Sequence, residues 1–312
     1  ADAPLARAAL FQLGDDEWVF VWTFHHMLAD GQSYVRLINE GFALYDAARG
    51  AGTESLPPPR AFSPFATWLD AHRRQQLPAA EVFWRQALSG IAAPTPLPLL
   101  RADPGVTTGD HREQTIELSV EDTDRLNTYA AGCSVTLNTL VQAAWALVIS
   151  RASGDADVVF GVTRAGRRAT IERAEDIVGS FINTVPVRAT IDPDTMVSDW
   201  LRSLRHQARQ IGPFEHTSLV DVQKWSAVPA GQPLFHSLIV FTPRLIGAVL
   251  REQGGAWTHR DVVFREQTNV PVTLFAYGER ACVLKLAFDA RKISPDVAAR
   301  WLAQLETILA AM

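Results

Sequence analysis

Two adjacent histidines, followed after three residues by Asp-Gly, form the part of the sequence best suited to chemistry. The segment His-His-Met-Leu-Ala-Asp-Gly runs from His25 to Gly31. Histidine is the side chain that most readily acts as a general base near neutral pH. The unpaired N–H groups at the start of a helix can stabilise a developing oxyanion. The pattern therefore indicates acyl transfer, provided that the histidines lie where a helix begins.

The residues on either side of this segment predict such a junction. The stretch Trp18–Phe24 is short, β-branched and aromatic and follows the turn residues Gly14–Asp16, so it predicts a buried strand. Over Gln32–Arg49, apolar residues recur at roughly helical spacing. The imidazoles are thus expected where a strand passes into a helix. Because neighbours on a strand point to opposite faces, the two histidines cannot both aim at one substrate atom.

Several segments, in order along the chain, resemble the motifs of nonribosomal peptide synthetase condensation domains, which belong to the chloramphenicol-acetyltransferase-like superfamily. His25–Gly31 resembles the HHxxxDG signature, and Val178–Arg188 (VGSFINTVPVR) resembles the segment VGxFxNTxPxR. Weaker likenesses to YxDFAxW, VVFGxxxxGR and RNPLFQVxF lie at Phe62–Trp68 (Pro64 replaces Asp), Val158–Arg167 and Pro233–Phe241 (Gly231 and Gln232 replace Arg and Asn). The resemblance covers essentially the whole chain.

The resemblance implies an α/β fold with mixed sheets, in two chloramphenicol-acetyltransferase-like lobes arranged as a pseudo-dimer. Members of the family carry several strands and helices before HHxxxDG, whereas this chain starts about one strand before it, so we expect an incomplete N-terminal lobe. The Pro- and Gly-rich stretch Ala92–Asp110 is the best linker candidate. Residues 1–106 are therefore expected to form the C-terminal part of the N-terminal lobe, and residues 107–312 the C-terminal lobe.

Hydrophobic periodicity along the chain predicts strands and helices without strict alternation, as in mixed sheets covered by helices. The predicted strands are Leu5–Leu13, Glu17–Phe24, His111–Leu118, Asp157–Thr163, Phe181–Ile191, Leu238–Thr242, Trp257–Phe264, Val272–Tyr277 and Cys282–Phe288. Besides the helix after Gly31, the predicted helices are Phe65–Arg74, Ala79–Leu88, Val120–Ala131, Thr136–Ala152, Val197–Ile211 and Pro295–Met312.

The resemblance also implies roles for the residues of the first motif. His26 is expected to orient an attacking amine and accept its proton, while His25 is expected to be structural. Gly31 is expected to form a turn or to allow close approach of the thioester, with nearby backbone N–H groups helping the oxyanion. Asp30 is either the N-cap of the helix or, by resemblance, holds the loop through an arginine. Both readings of Asp30 are structural.

Three residues of the second strong motif are expected at the same active site. Asn183 and Thr184 either satisfy neighbouring backbone groups of a strand or, as the resemblance implies, line the substrate channel. Arg188 either caps the end of a strand or pairs with a carboxylate such as Asp30.

The reaction implied by the resemblance is formation of a peptide bond in antibiotic and other secondary-metabolite biosynthesis. An upstream carrier protein presents an acyl or peptidyl thioester on phosphopantetheine, and the amine of an aminoacyl thioester on a downstream carrier attacks it. The expected partners are these two peptidyl carrier proteins and a neighbouring adenylation domain. No bound cofactor or metal is expected, since the other histidines lack metal-ligand spacing.

Three alternative functions stay open at this point. A stand-alone acyltransferase of the same superfamily would use coenzyme A or lipid substrates. An epimerisation domain shares the histidine motif but usually continues it with Ser-Trp, whereas Gly31 is followed here by Gln-Ser-Tyr. An inactive interaction module tends to have a degraded motif, whereas both histidines are intact here. A further alternative is that the fragment by itself is inactive, because a channel between two lobes cannot close if one lobe is incomplete.

Composition excludes other classes of function. The chain has 29 basic and 34 acidic residues and a net charge of −5, which argues against a nucleic-acid-binding surface. No apolar run reaches the length of a membrane span. Cys133 and Cys282 are too few and too far apart for a zinc site or a disulfide framework, so we expect buried thiols in a cytoplasmic protein.

Overall fold

The structure, a computed structural model, describes residues 4–50, 56–98, 110–167, 170–252 and 260–312. Its contacts divide the chain into two units. The first consists of Ala1–His72 and Ala165–Ile182, and the second of Arg73–Arg164 and Asn183–Met312. These limits do not coincide with the boundary that the linker predicts near residue 106, and the division into two acetyltransferase-like lobes stays a prediction.

The first unit contains a two-stranded sheet and a long helix. Strand β1 (Ala6–Gln12) pairs antiparallel with β2 (Trp18–Phe24), and helix α1 spans Gly31–Ala48. The predicted strands and helix are confirmed, but the predicted burial of β2 is wrong, since Trp18 is 52% and Phe20 56% exposed. In the described part of this unit β2 pairs only with β1, and a two-stranded sheet buries little unless another layer packs on it.

Helix α2 (Ser63–Ala87) begins in the first unit and continues into the second. The sequence predicts two helices here, and that break is wrong, because the helix runs through Pro78. A proline inside a helix removes one backbone hydrogen bond. Beyond it, Ala80 and Trp84 are buried in the main core, so packing stabilises the C-terminal half of the helix enough to keep it continuous.

A small aromatic core lies within the first unit. Its buried members are Phe65, Ala174, Ile177 and Phe181. Phe62 packs against this cluster, with its ring centroid 5.3 Å from that of Phe65 and 5.5 Å from that of Phe181. The start of α2 is thus packed against residues more than a hundred positions further along the chain.

The second unit is built on a six-stranded mixed sheet. Its strands are β3 (His111–Glu117), β4 (Asp157–Arg164), β5 (Asn183–Thr190), β6 (Ser237–Thr242), β7 (Val272–Tyr277) and β8 (Val283–Asp289). Their order in the sheet is β3-β8-β7-β6-β4-β5. Strands β4, β6 and β7 run parallel to one another, and the remaining neighbours are antiparallel. The mixed α/β class that the sequence predicts is confirmed.

The helices of the second unit have clear start and stop signals. After α2 they are α3 (Val120–Gly132), α4 (Leu137–Ser153), α5 (Val197–Ile211), α6 (Leu219–Trp225), α7 (Ile246–Glu252) and α8 (Pro295–Ala310). Hydroxyl groups of Ser119, Thr136 and Ser294 cap the first turns of α3, α4 and α8, and Gly154 ends α4 with φ 82°.

Three short segments differ from the expectations. Helices α6 and α7 are not among the predicted elements. The predicted strand Trp257–Phe264 is wrong where the structure describes it, because residues 260–264 form no strand, and its first three residues lie outside the described ranges. Residues 99–109 of the predicted linker also lie outside the described ranges.

Within the described ranges, no single helix is long and apolar enough to cross a membrane, and α3 and α4 reach that length and apolarity only as a pair bent by 99°. Both cysteines are buried free thiols, as the sequence predicts. Burial raises the pKa of the Cys282 thiol to about 11, because the thiolate would lose its hydration.

Candidate active site

The segment His25–Gly31 connects β2 to the first turn of α1. The N–H of His25 donates to the carbonyl of Leu5 at 2.8 Å, and the N–H of Leu28 donates to the carbonyl of His25 at 3.0 Å, which closes a turn. Nδ1 of His25 accepts a hydrogen bond from the N–H of Met27 at 3.2 Å. The histidines therefore lie at the strand-to-helix junction, and the His25 ring takes part in shaping it.

The His26 side chain is half-buried and packs against an aromatic residue of α1. Its ring centroid lies 5.5 Å from that of Tyr34 with an interplanar angle of 61°. Tyr34 is only 1% exposed and packs edge-on against Phe24 of β2, with the ring centroids 4.6 Å apart. Tyr34 thus fixes one side of the His26 ring while part of the imidazole stays accessible.

Asp30 makes both kinds of contact that the sequence offers as alternatives. Its carboxylate accepts the N–H of Ser33 at 3.0 Å, which makes Asp30 the N-cap of α1. It also receives Nε of Arg167 at 3.1 Å and Nη2 at 2.6 Å, one on each oxygen, and the N–H of Phe181 at 3.2 Å. Since Asp30 is only 2% exposed, these donors replace the water that its charge would otherwise need.

Arg167 links the histidine segment to the turn that precedes the second motif. Its Nη1 donates to the carbonyls of Ala174 at 2.6 Å and Ile177 at 2.9 Å. The guanidinium carbon lies 4.0 Å from the centre of the Phe181 ring, an arrangement typical of a cation–π contact. A planar cation with five N–H donors suits this place, because lysine could not bind both carboxylate oxygens and the carbonyls together.

The backbone of Gly179 completes the link between the two strong motifs. Its carbonyl accepts the N–H of Asp30 at 3.2 Å, and its N–H donates to Oγ of Ser33 at 3.0 Å. A Cβ at position 179 would lie 2.1 Å from Cδ2 of Phe62, so only glycine fits between the ring and α1. The segment His25–Gly31 and residues 179–181, distant in sequence, therefore meet in one hydrogen-bonded network.

Comparison with known proteins identifies the family. The family model described as Condensation domain matches residues 1–312. The chain belongs to the condensation domain family. The condensation domain is 38% identical over 314 residues to a protein of the linear gramicidin synthase of Brevibacillus parabrevis, covering 99% of this chain and 6% of that protein. It is 41% identical over 258 residues to chondramide synthase cmdD of Chondromyces crocatus, covering 81% of this chain and 6% of that protein.

Solved structures agree with this family at the level of the fold. The X-domain from teicoplanin biosynthesis is 22% identical, with a TM-score of 0.81, and the match covers 98% of this chain and 72% of that one. The starter condensation domain of rhizomide synthetase RzmA, solved as a mutant in complex with C8-CoA, is 19% identical with a TM-score of 0.75, covering 99% and 70%. The mixed α/β architecture is thus that of a condensation domain.

The arginine that pairs with Asp30 in this condensation domain is Arg167. Arg188 pairs with a carboxylate, as one of its two alternatives holds, but that carboxylate is not Asp30. Arg188 lies on β5 and binds the carboxylate of Asp157 on β4, with Nε 2.8 Å from Oδ1. This hydrogen bond raises the pKa of the Arg188 guanidinium. The pairing follows from the register, because Arg188 lies opposite Val159 and therefore diagonally across from Asp157.

Asn183 and Thr184 lie at the start of β5. Nδ2 of Asn183 donates to the carbonyls of Glu215 at 2.8 Å and Thr217 at 2.7 Å. Thr184 is half-buried and lies opposite Thr163 of β4. The contacts of Asn183 correspond to the first alternative, in which it satisfies neighbouring backbone groups. A role of Asn183 or Thr184 in a substrate channel stays a prediction.

Gly31 is the first residue of α1, and nothing in the described fold requires a glycine there. A Cβ at this position would meet no described atom within 4 Å, and Gly31 is not among the glycines with positive φ. Ser33, which is not among the predicted site residues, is fully buried and bonded to both motifs. Its position three residues after the predicted N-cap Asp30 was the sequence signal that Ser33 belongs to this network.

Among the described residues, no group of three or more His, Cys, Asp or Glu side chains could hold a metal ion.

Proposed function

We propose that this chain is the part of a condensation domain that joins a carrier-bound acyl or peptidyl thioester to a carrier-bound aminoacyl group through an amide bond. The observation that carries this proposal is the intact histidine motif, held by Asp30, Arg167 and Gly179, in a chain that matches the family along its full length. The relatives at 38% and 41% identity are named as synthases of linear gramicidin and of chondramide, which supports a biosynthetic role here.

The reaction forms one C–N bond and breaks one C–S bond. The amine nitrogen of the acceptor attacks the thioester carbonyl carbon of the donor, and the carbonyl electron pair moves onto oxygen. When this tetrahedral intermediate collapses, the C–S bond breaks and its electron pair leaves with the sulfur of the donor pantetheine. The proton lost by the amine ends on that thiolate, so the products are an amide on the acceptor carrier and a free thiol on the donor carrier.

In this scheme His26 orients the amine, accepts its proton and returns it to the leaving thiolate. An α-amine titrates near pH 8, so an appreciable fraction is already neutral at neutral pH. Aligning two tethered substrates can contribute roughly 7–11 kcal/mol, whereas a general base contributes about 10²–10⁴-fold. Positioning is therefore the larger part of the catalysis, and the base is the smaller part.

Gly31 supplies the second element of the scheme. Among the described residues its N–H donates no hydrogen bond, as is usual for the first N–H groups of a helix. The absence of a side chain lets a substrate approach this backbone closely. A thioester oxygen that becomes negatively charged would be stabilised there by the N–H and by the helix dipole.

The partners proposed with this reaction are an upstream and a downstream peptidyl carrier protein and a neighbouring adenylation domain. No resident cofactor is proposed, because both substrates arrive on the phosphopantetheine arms of the carriers. Tethering supports this arrangement physically, since it raises the effective concentration of a substrate whose own affinity is poor.

His26→Ala tests the proposal in a complete condensation domain that contains this chain. Amide formation between two loaded carrier proteins, followed by intact-protein mass spectrometry, should fall by about 10²–10⁴-fold. His111→Ala, at an exposed position on β3 in the other unit, is the matched control and should keep normal turnover. Near-normal turnover of His26→Ala would remove His26 from the mechanism.

A second candidate is acyl transfer from coenzyme A. It is favoured by one observation, that the matched starter condensation domain of RzmA is described in complex with C8-CoA. The two candidates are separated by offering the same acyl donor on carrier protein and on coenzyme A, with the same acceptor. Equal efficiency of the two donors would displace the carrier-dependent function in favour of a coenzyme A acyltransferase.

A further inference from the structure

The hydroxyl group of Ser33 lies at the centre of the network that joins the two motifs. Oγ accepts the N–H of Gly179 at 3.0 Å and Nη2 of Arg167 at 2.8 Å. It also lies 2.9 Å from Oδ1 of Asp30 and 2.9 Å from the carbonyl oxygen of Gly179, one of which takes its single proton. Ser33 is 1% exposed, so these protein groups alone satisfy the hydroxyl.

This hydroxyl cannot be removed without leaving buried polar groups unsatisfied. In the described part of the chain, the N–H of Gly179 has no hydrogen bond except the one to Ser33. A buried donor left without an acceptor costs free energy, which a shift of the backbone towards a new partner would reduce. Here the shift would move Gly179 relative to the first turn of α1.

Direct contacts connect the first turn of α1 to His26. Ser33 precedes Tyr34, whose ring packs edge-on against His26 at 5.5 Å between centroids. The other end of the histidine segment is fixed by the bond from the N–H of Asp30 to the carbonyl of Gly179. A displacement of Gly179 from α1 would therefore act on both ends of the segment that presents His26.

We propose that Ser33 is a positioning residue for amide formation, whose hydroxyl fixes Gly179 against α1 so that His26 is presented in one orientation. This inference rests on the proposed function, in which His26 handles the proton. Ser33 itself touches neither substrate nor the reacting atoms and acts through His26. The residue completes a chain of contacts that leads from the second motif to the imidazole.

A double-mutant cycle in the complete domain tests this role. Ser33→Ala should lower kcat by about tenfold to a hundredfold, the range expected for a misplaced reacting group, with the KM values for both carriers unchanged. In a background of His26→Ala the same change should have little further effect, because the group that Ser33 positions is already absent. Independent losses would instead multiply, so multiplied losses would overturn the proposal.

Two control variants separate positioning from stability. Ser119→Ala removes a hydroxyl that caps α3 in the other unit, where Oγ accepts the N–H of Asp122 at 3.0 Å, and should lower the melting temperature while leaving kcat normal. Ser33→Thr keeps the hydroxyl and should recover most of the rate lost in Ser33→Ala. Full activity of Ser33→Ala, or no recovery in a folded Ser33→Thr variant, would contradict the inference.

A measurement that does not depend on activity keeps this inference distinct from the proposed function. In imidazole NMR spectra, Ser33→Ala should shift the His26 resonances while those of His111 on β3 stay in place. Unchanged His26 resonances would overturn the positioning role whatever the reaction is. Normal amide formation by His26→Ala, together with shifted His26 resonances in Ser33→Ala, would count against the proposed mechanism and not against the structural link.

Discussion

Replacing Gly31 by alanine separates the stability of the fold from the chemistry at the start of α1. Gly31 has no positive φ, and a Cβ there would meet no described atom within 4 Å. Under these conditions a change from glycine to alanine stabilises a protein by about 0.4–1 kcal/mol, chiefly because the unfolded chain loses conformational freedom. We therefore expect the free energy of unfolding of Gly31→Ala to rise, which urea denaturation would measure.

The same variant should lose activity. The added methyl group would occupy the space through which a thioester reaches the Gly31 N–H. Loss of one oxyanion donor typically lowers kcat by about 10²–10³-fold. We expect a decrease of about 10²-fold in amide formation between loaded carriers, measured by intact-protein mass spectrometry. A more stable but slower protein is the opposite of what a damaged fold would give.

Gly41→Ala is the matched control in the same helix. A Cβ at Gly41 would also meet no described atom within 4 Å, and this residue is exposed in the interior of α1. We expect at least the same gain in stability and an unchanged rate. Wild-type turnover in Gly31→Ala would refute the close approach of substrate to this backbone, and a loss of stability would refute the view that the fold does not need this glycine.

Three further predictions concern single groups. Asp30→Ala should lower the free energy of unfolding by about 3–5 kcal/mol, because it leaves the buried Arg167 charge unpaired; a loss of only 0.5–2 kcal/mol in urea denaturation would indicate a cap and nothing more. Cys282, with a pKa of about 11 and no exposed surface, should react with iodoacetamide at pH 8 only after unfolding, and rapid modification of the native protein, located by mass spectrometry, would contradict its burial. Hydrogen bonding to Arg291 lowers the pKa of Asp289 to about 2, so its contribution to stability should be complete above about pH 4 and decrease as the pH falls towards 2. Asp289→Asn should flatten that part of the curve of melting temperature against pH, and an unaltered curve would show that the pair is not formed.

Long periodic elements could be predicted from sequence alone. Helices α4 and α5 and strand β4 are clear because their apolar positions repeat over many residues or because the strand is buried on both faces. Helices α6 and α7 span seven residues each, which is less than two and a half turns and too short to show a helical period. At Pro78 the sequence predicts a break that the structure does not have, because burial of the residues after the proline keeps the helix continuous.

Local features of the site could be predicted as well, but long-range partners could not. Asp30 at the start of a helix predicts an N-cap from its neighbours alone, and the structure contains that contact. The choice of arginine depends on folding, because Arg167 lies 137 positions away and competes with every other arginine in the chain. Arg188 was excluded only by the register of β4 and β5, which places it beside Asp157.

The buried pair of Asp30 and Arg167 is better explained by geometry than by stability. Desolvating two charges costs several kcal/mol per ion, and apolar residues of similar size often stabilise a protein as well or better. An apolar pair, however, makes no directional hydrogen bonds. Asp30 must point one oxygen at the first turn of α1 and the other at the N–H of Phe181, and Arg167 must reach two carbonyls of the turn before Gly179. These directional bonds, together with those of Ser33, fix where two distant segments meet, and a reaction that depends mainly on positioning needs that placement more than it needs extra stability.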